Sequence, residues 1–224
     1  MPGSSVMAVV VLVVVIAALA LLIRPYFRMK RERTEQLQVI AGQQGWTFLT
    51  TATVDSIPGW EGFELFGQGH SRTIENLISG EADGIKVAVF DYHYVRKSAE
   101  QGHGAQAQTV LCLQHGNLSI PHFSLQPENV LHKIFARYGY QDIDFGQRPA
   151  FSSQYLLRGE DERAIRSTFN DGLLSFYEMN PGTSTEGRGN QLFVYRDSQL
   201  VEPAQIQSFV DLGLNILKLL PRQV

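Results

Sequence analysis

Hydrophobic residues are spread unevenly along the chain. From Val6 to Ile23 they are continuous, an 18-residue run without a polar side chain, VMAVVVLVVVIAALALLI. As a helix rising about 1.5 Å per residue, the run reaches roughly 27 Å, close to the thickness of a bilayer core. The stretch before it, Met1–Ser5, has no positive residue. The apolar core is longer than that of a cleaved leader, so it reads as an uncleaved anchor. Just after it stand Arg24, Arg28, Lys30, Arg31 and Arg33, with Tyr26 and Phe27 at interface depth. Basic residues on that flank alone predict an N-terminus outside and everything from Arg24 inside, a single pass through the inner (plasma) membrane. The basic cluster is expected to touch anionic lipid, which makes the bilayer the first expected partner.

Beyond the run the pattern becomes periodic. Residues 29–45 read as a juxtamembrane helix stopped at Gly45, following an anchor over 1–28. Trp46–Leu49 reads as a short strand, Ser56–Gly59 as a turn, and Phe63–Phe66 as a further strand. The clearest strand is Gly84–Lys97: Val87, Val89, Asp91, His93 and Val95 fall on one face, and Ala88, Phe90, Tyr92, Tyr94 and Arg96 on the other. Ser98–Gln108 is small and polar and reads as a loop. Gln108–Gln114 and Leu118–Leu125 return as strands, giving an antiparallel meander with Gly84–Lys97.

Pro127 then opens a helix that ends at Gly139. Asp142–Phe145 and Phe151–Arg158 are strand-like. A single helical stripe follows through Ala164, Ile165, Phe169, Leu173 and Phe176, with acids at its start where the helix dipole favours them. Gly182–Asn190, GTSTEGRGN, reads as a hairpin loop before the strand Gln191–Arg196, and Pro203 opens a final helix. Strands in groups with helices between them predict an α+β fold: an N-terminal transmembrane helix, then a mostly antiparallel sheet with packed helices over 46–224. A subdomain break near 146–150 and a duplicated strand–helix unit are both compatible with the pattern.

Charge narrows the function classes. Residues from Thr34 onward hold 14 of the 19 basic and 21 of the 22 acidic side chains. An acidic domain without a basic stripe repels phosphate backbones, so nucleic acid is not an expected partner. The single cysteine, Cys112, sits in an apolar run, reads as buried, and forms no internal disulfide.

The order Gly45-Trp46, Pro58, Phe66, Gly80, then Phe90-Asp91-Tyr92-x-Tyr94, then Pro121-x-Phe123 with Pro127-Glu128 resembles uncharacterised bacterial single-pass membrane-anchored proteins containing a domain of unknown function. The resemblance covers about residues 40–160 and implies no catalytic residues.

Candidate chemistry is sparse. Asp91 and His93 share a strand face, as a carboxylate orienting an imidazole would, or as a buried pair that satisfies itself. Asp142 and Asp144 flank Ile143 and are the candidate metal ligands, unless they form a solvated strand face. The six histidines show none of the spacings that place two imidazoles on one metal. Gly182–Asn190 lacks the features of a phosphate-binding loop, and no cofactor is implied. The pattern points to a membrane-tethered binding or scaffolding module whose partner is lipid or another membrane or cytoplasmic protein. A membrane-bound hydrolase or metal-dependent enzyme using Asp91 and His93 is the first alternative. A small-ligand or lipid-binding domain is the second.

Overall fold

The computed structural model describes residues 3–98, 102–128 and 142–221; side chains at 3–6, 8–11, 13, 14, 16–19, 97, 98, 102 and 103 lie outside that description. One continuous helix, α1 (Gly3–Gln43), runs through Pro25 without a break. Its last turns belong to the domain, because Leu37 and Ala41 are buried in the main core. Gly45, in the left-handed conformation, stops it.

Among the described residues no helix is long and apolar enough to cross a membrane. This overturns the expected single pass through the inner membrane, with its outside N-terminus and inside domain. The described side chains of α1 from Ala20 onward include Arg24, Arg28, Lys30, Arg31, Glu32, Arg33 and Glu35, and the helix ends packed on the sheet rather than free of it. The side chain of Val6, and most of those between it and Ala20, lie outside the described residues.

The strands are β1 (Thr47–Ala52), β2 (His70–Ala82), β3 (Ile85–Ser98), β4 (Gly102–His115), β5 (Ile120–Pro127), β6 (Tyr155–Gly159), β7 (Ser184–Gly189) and β8 (Gln191–Tyr195). They form one antiparallel sheet in the order β1-β2-β3-β4-β8-β7-β5-β6. The α+β expectation holds in this form.

Several local expectations do not. β2 is not among the expected strands, and a bulge breaks its alternation: Glu75 pairs with Asp91 and Ile78 with Val89, three steps on one strand against two on the other. Asn76, inside the bulge, has φ +53. Of the expected loop Ser98–Gln108, Ser98 and residues 102–108 are strand, since β3 and β4 stay paired out to Ser98 and Gly102; residues 99–101 lie outside the described residues. β5 does not continue the meander, because β8 takes the place beside β4 and β5 pairs with β6 and β7.

Phe63–Phe66 gives a one-turn helix, Glu64–Gly67, rather than a strand. Gly182–Asn190 supplies β7, whose Gly187 leaves room for Phe123 on the neighbouring strand. Phe151–Arg158 opens with the one-turn helix Pro149–Ser152 before β6. The helix expected after Pro127 falls, from residue 129, outside the described residues; Pro127 itself ends β5.

Both faces of the sheet are covered. On one face lie the end of α1 and three further helices, α2 (Glu162–Thr168), α3 (Asp171–Met179) and α4 (Ile206–Leu219). The stripe expected as one helix is two, because Asn170 caps a new start by accepting from the Leu173 N–H at 3.0 Å. α4 lies close enough that a Cβ on Gly213 would stand 2.3 Å from Leu111.

On the opposite face the segment Val54–Gly67 lays Ile57, Phe63, Leu65 and Phe66 over Phe90, Tyr92, Tyr94, Phe193 and Tyr195. Phe66 stands edge-on to Tyr92 and Phe193, at centroid distances of 5.2 and 5.4 Å. Cys112 is buried in this layer, and burial pushes its thiol up to about 12.

This second layer also buries Glu186, in the middle of β7. Its carboxylate accepts from the Leu65 N–H at 2.9 Å and from the Tyr195 hydroxyl at 2.8 Å. Burial, with the Glu64 carboxylate second, raises it from 4.5 to about 7. Glu64 is itself held by Arg158 at 3.2 Å. The folded domain therefore keeps a proton here that the unfolded chain releases between pH 4.5 and 7. Stability from this group is full below that window and is lost as pH rises through it, on the order of 2–3 kcal/mol. Glu186→Gln keeps an acceptor and removes the ionisation. We expect it to melt higher than the parent at pH 8 but not at pH 4.5; the same difference at both pH values would refute the assignment.

Candidate functional site: a cleft beside helix α1

Asp91 is 2 % exposed, on the face of β3 that looks toward α1. A lone carboxylate at that depth is untenable, and three side chains answer it with four hydrogen bonds. Arg33, reaching down from α1, donates to both oxygens, at 2.8 and 2.7 Å. The side-chain amide of Asn76 donates at 2.9 Å and the Thr109 hydroxyl at 2.8 Å. Arg33 also donates to the Val201 carbonyl at 2.7 Å, and the Val201 N–H donates to the Thr109 hydroxyl at 2.9 Å. One buried charge thus ties together α1, the β2 bulge, β3, β4 and the Leu200–Pro203 segment that leads into α4.

The Asp91–His93 pairing considered from the sequence does not form. The two side chains share a face, but Arg33 takes the carboxylate. The His93 Nε2 stands 3.5 Å from Glu75, which accepts from Lys30 at 2.8 Å.

His93 and Glu75 lie on the floor of a cleft of about 410 Å³, between α1, the β2–β3 surface and the Leu200–Pro203 segment. Pockets of that size accept small ligands. Tyr26, Met29, Leu200 and Pro203 give it apolar walls; Lys30, Glu32, Arg33, Gln36, Glu75, Asn76, His93 and Glu202 give it polar ones. No Ser, Thr or Cys lines it. A second groove of about 500 Å³ follows α1 on the same side, sharing Glu32, Gln36 and Pro203 with the first. Asp91 lies beneath the cleft and His93 within it.

The other singled-out residues are dispersed. The Asp142 carboxylate accepts from the Leu157 N–H at 3.1 Å, and the Ile143 N–H donates to the Leu157 carbonyl at 2.8 Å, so this segment closes the free edge of β6. Burial raises Asp142 and the Leu157 N–H opposes the shift. Asp144 is exposed, and its backbone carbonyl accepts from Arg166 at 2.7 Å. No cluster of three potential metal ligands occurs among the described residues.

Along α1, Ile23, Arg24, Tyr26, Phe27, Arg28, Lys30 and Arg31 are exposed. Arg28 and Arg31 pair with Glu32 and Glu35 one turn on, both at 2.7 Å. Arg33 is the exception: sequence placed it among lipid-facing cations, and its partner is Asp91. Glu75, Asn76, Leu200 and Glu202 escaped the sequence reading, because only the bulge in β2 and the approach of residues 200–203 bring them to α1.

No family model matches this chain, and no curated protein matches it. Among solved structures it is similar to the crystal structure of the mycobacterial trehalose monomycolate transport factor A, TtfA, at 13 % identity and a TM-score of 0.59, over 87 % of this chain and 99 % of that one. At that identity the likeness is one of fold.

The geometry separates the roles of Asp91 and His93. Asp91→Ala leaves the Arg33 guanidinium buried without its partner and should cost about 3–5 kcal/mol. His93→Ala removes a half-exposed side chain and should stay within about 1 kcal/mol of the parent. Urea denaturation of the two variants checks this, and equal losses would contradict it.

Proposed function

We propose that this domain is a binding module for an amphipathic, lipid-like molecule, received in the cleft beside α1. The observation that carries this reading is the mixed lining of the cleft: Tyr26, Met29, Leu200 and Pro203 give its walls apolar area among charged groups, and the floor on β2 and β3, Glu75, Asn76 and His93, is wholly polar. An acyl chain against Met29 and Leu200 would leave water, while a polar end keeps hydrogen-bonding partners on the floor. Met29 is 70 % and Leu200 40 % exposed, so apolar area remains to be covered by a ligand.

The structural neighbour is named as a transport factor for trehalose monomycolate, which supports a lipid-related reading. Of the expectations drawn from sequence, the binding module and the lipid-binding alternative merge in this proposal. Asp91 has no place in it as a catalytic base, because its oxygens are fully engaged by Arg33, Asn76 and Thr109.

Titration of the full chain with a fluorescent single-chain glycoside tests the proposal. Met29→Glu and Leu200→Glu should each weaken binding about tenfold or more, by placing a carboxylate against the chain. Both positions are exposed, so the melting temperature should hardly move. Undiminished binding in both variants would remove the cleft from consideration.

A further inference from the structure

The floor of the cleft has a chemical bias that goes further than amphipathic binding. It starts from where the positive charges are already used. Arg33 directs every nitrogen of its guanidinium at a partner: Nε and one terminal nitrogen at Asp91, the other at the Val201 carbonyl. Lys30 donates to Glu75. Each cation is thus already paired with a carboxylate.

The carboxylates are more numerous. Glu75 and Glu202 line the cleft against Lys30, while Arg33 is neutralised from below by Asp91 and Glu32 is paired with Arg28, which leaves the carboxylates one ahead. A phosphate or carboxylate entering here would meet net negative charge in a partly desolvated setting, with both cations already carboxylate-paired.

Acceptors, by contrast, are in surplus. Asn76, a lining residue only 3 % exposed, gives its amide N–H to Asp91, and its Oδ1 has no hydrogen-bond partner. The backbone there is held at φ +53, a conformation that asparagine tolerates better than most residues but does not prefer. Strained backbone with an unanswered buried acceptor in a cleft is a combination associated with ligand sites. Glu75, beside it in the bulge, adds carboxylate lone pairs.

Resting on the binding role proposed above, we propose that the cleft selects a headgroup that donates hydrogen bonds and carries no negative charge, a polyol or an ammonium group, and rejects phosphate and carboxylate. Glu75 is the discriminating residue: it neutralises Lys30 and repels anions. Glu75 is also the acceptor that a hydroxyl or ammonium N–H meets, since its carboxylate is partly exposed in the cleft.

Three probes with one chain and different heads test this on the full protein: dodecyl maltoside, dodecylammonium and dodecyl phosphate, each below its micellar concentration. The maltoside and the ammonium should bind, and the phosphate about tenfold or more weaker. Whichever of the two binds more tightly identifies the donor class. Glu75→Gln frees Lys30 and should close most of the gap for phosphate.

Phosphate binding as tightly as the maltoside in the parent, or a phosphate affinity unmoved by Glu75→Gln, overturns the selectivity. If the three probes bind equally but all lose affinity in Leu200→Glu, selectivity alone has failed. If none binds, or none responds to Leu200→Glu, the binding role has failed with it.

Discussion

A single buried carboxylate organises one side of this molecule. Asp91 sits at the centre of β3, where an uncompensated charge would be prohibitive, and its partners come from everywhere that must be held in place. Arg33 draws α1 down onto the sheet, Asn76 pins the bulge of β2, and Thr109 and Arg33 together fix the backbone at Val201. These three attachments are the walls and floor of the cleft. Losing the carboxylate would therefore loosen the site as a whole. The pair also explains why α1 remains with the domain past its basic stretch: the cation nearest the sheet has a fixed destination.

The opposite face of the sheet meets burial differently. Its interior is aromatic, with Phe66 at the centre of edge-on contacts, and the polar group it encloses, Glu186, is held by a backbone N–H and a tyrosine hydroxyl with no cation bonded to it. Two buried carboxylates in one domain thus behave oppositely. Asp91 is compensated by a guanidinium, whereas Glu186 is pushed toward its neutral form by burial and by Glu64. The first ties elements together at neutral pH, and the second makes the domain more stable in mild acid.

These arrangements also place the open surface. The helical face is sealed where α2, α3 and α4 cover β4 to β8, and Asp142 with Ile143 closes the free edge of β6. The cleft opens where α1 crosses β2 and β3, at the end of the sheet that those helices do not reach. Its walls are held by buried polar contacts, while the side chains facing into it are exposed.

Much of this was legible in the sequence. Strict alternation over Gly84–Lys97 determined β3 and put Asp91 and His93 on a common face, because a strand's side chains alternate whatever lies beside it. The apolar run containing Cys112, the strand at Gln191–Arg196 and the stripe of the last helix followed from period alone. Segments where tertiary contacts override local preference were misread. β2 went unrecognised, because the bulge that sets Asn76 against Asp91 breaks its alternation. β7 looks like a loop because it is rich in glycine and polar residues, yet one glycine admits Phe123 and one acid is buried under Leu65. The continuous run Val6–Ile23 suggested a membrane span from composition, while the described part of α1 is charged and packed on the domain. Most of all, no local pattern pairs Arg33 with Asp91, 58 residues away, or brings residues 200–203 to the same place. Periodicity determined which residues share a face; only the folded chain decided what that face would meet, because a buried charge chooses its partner by distance in space.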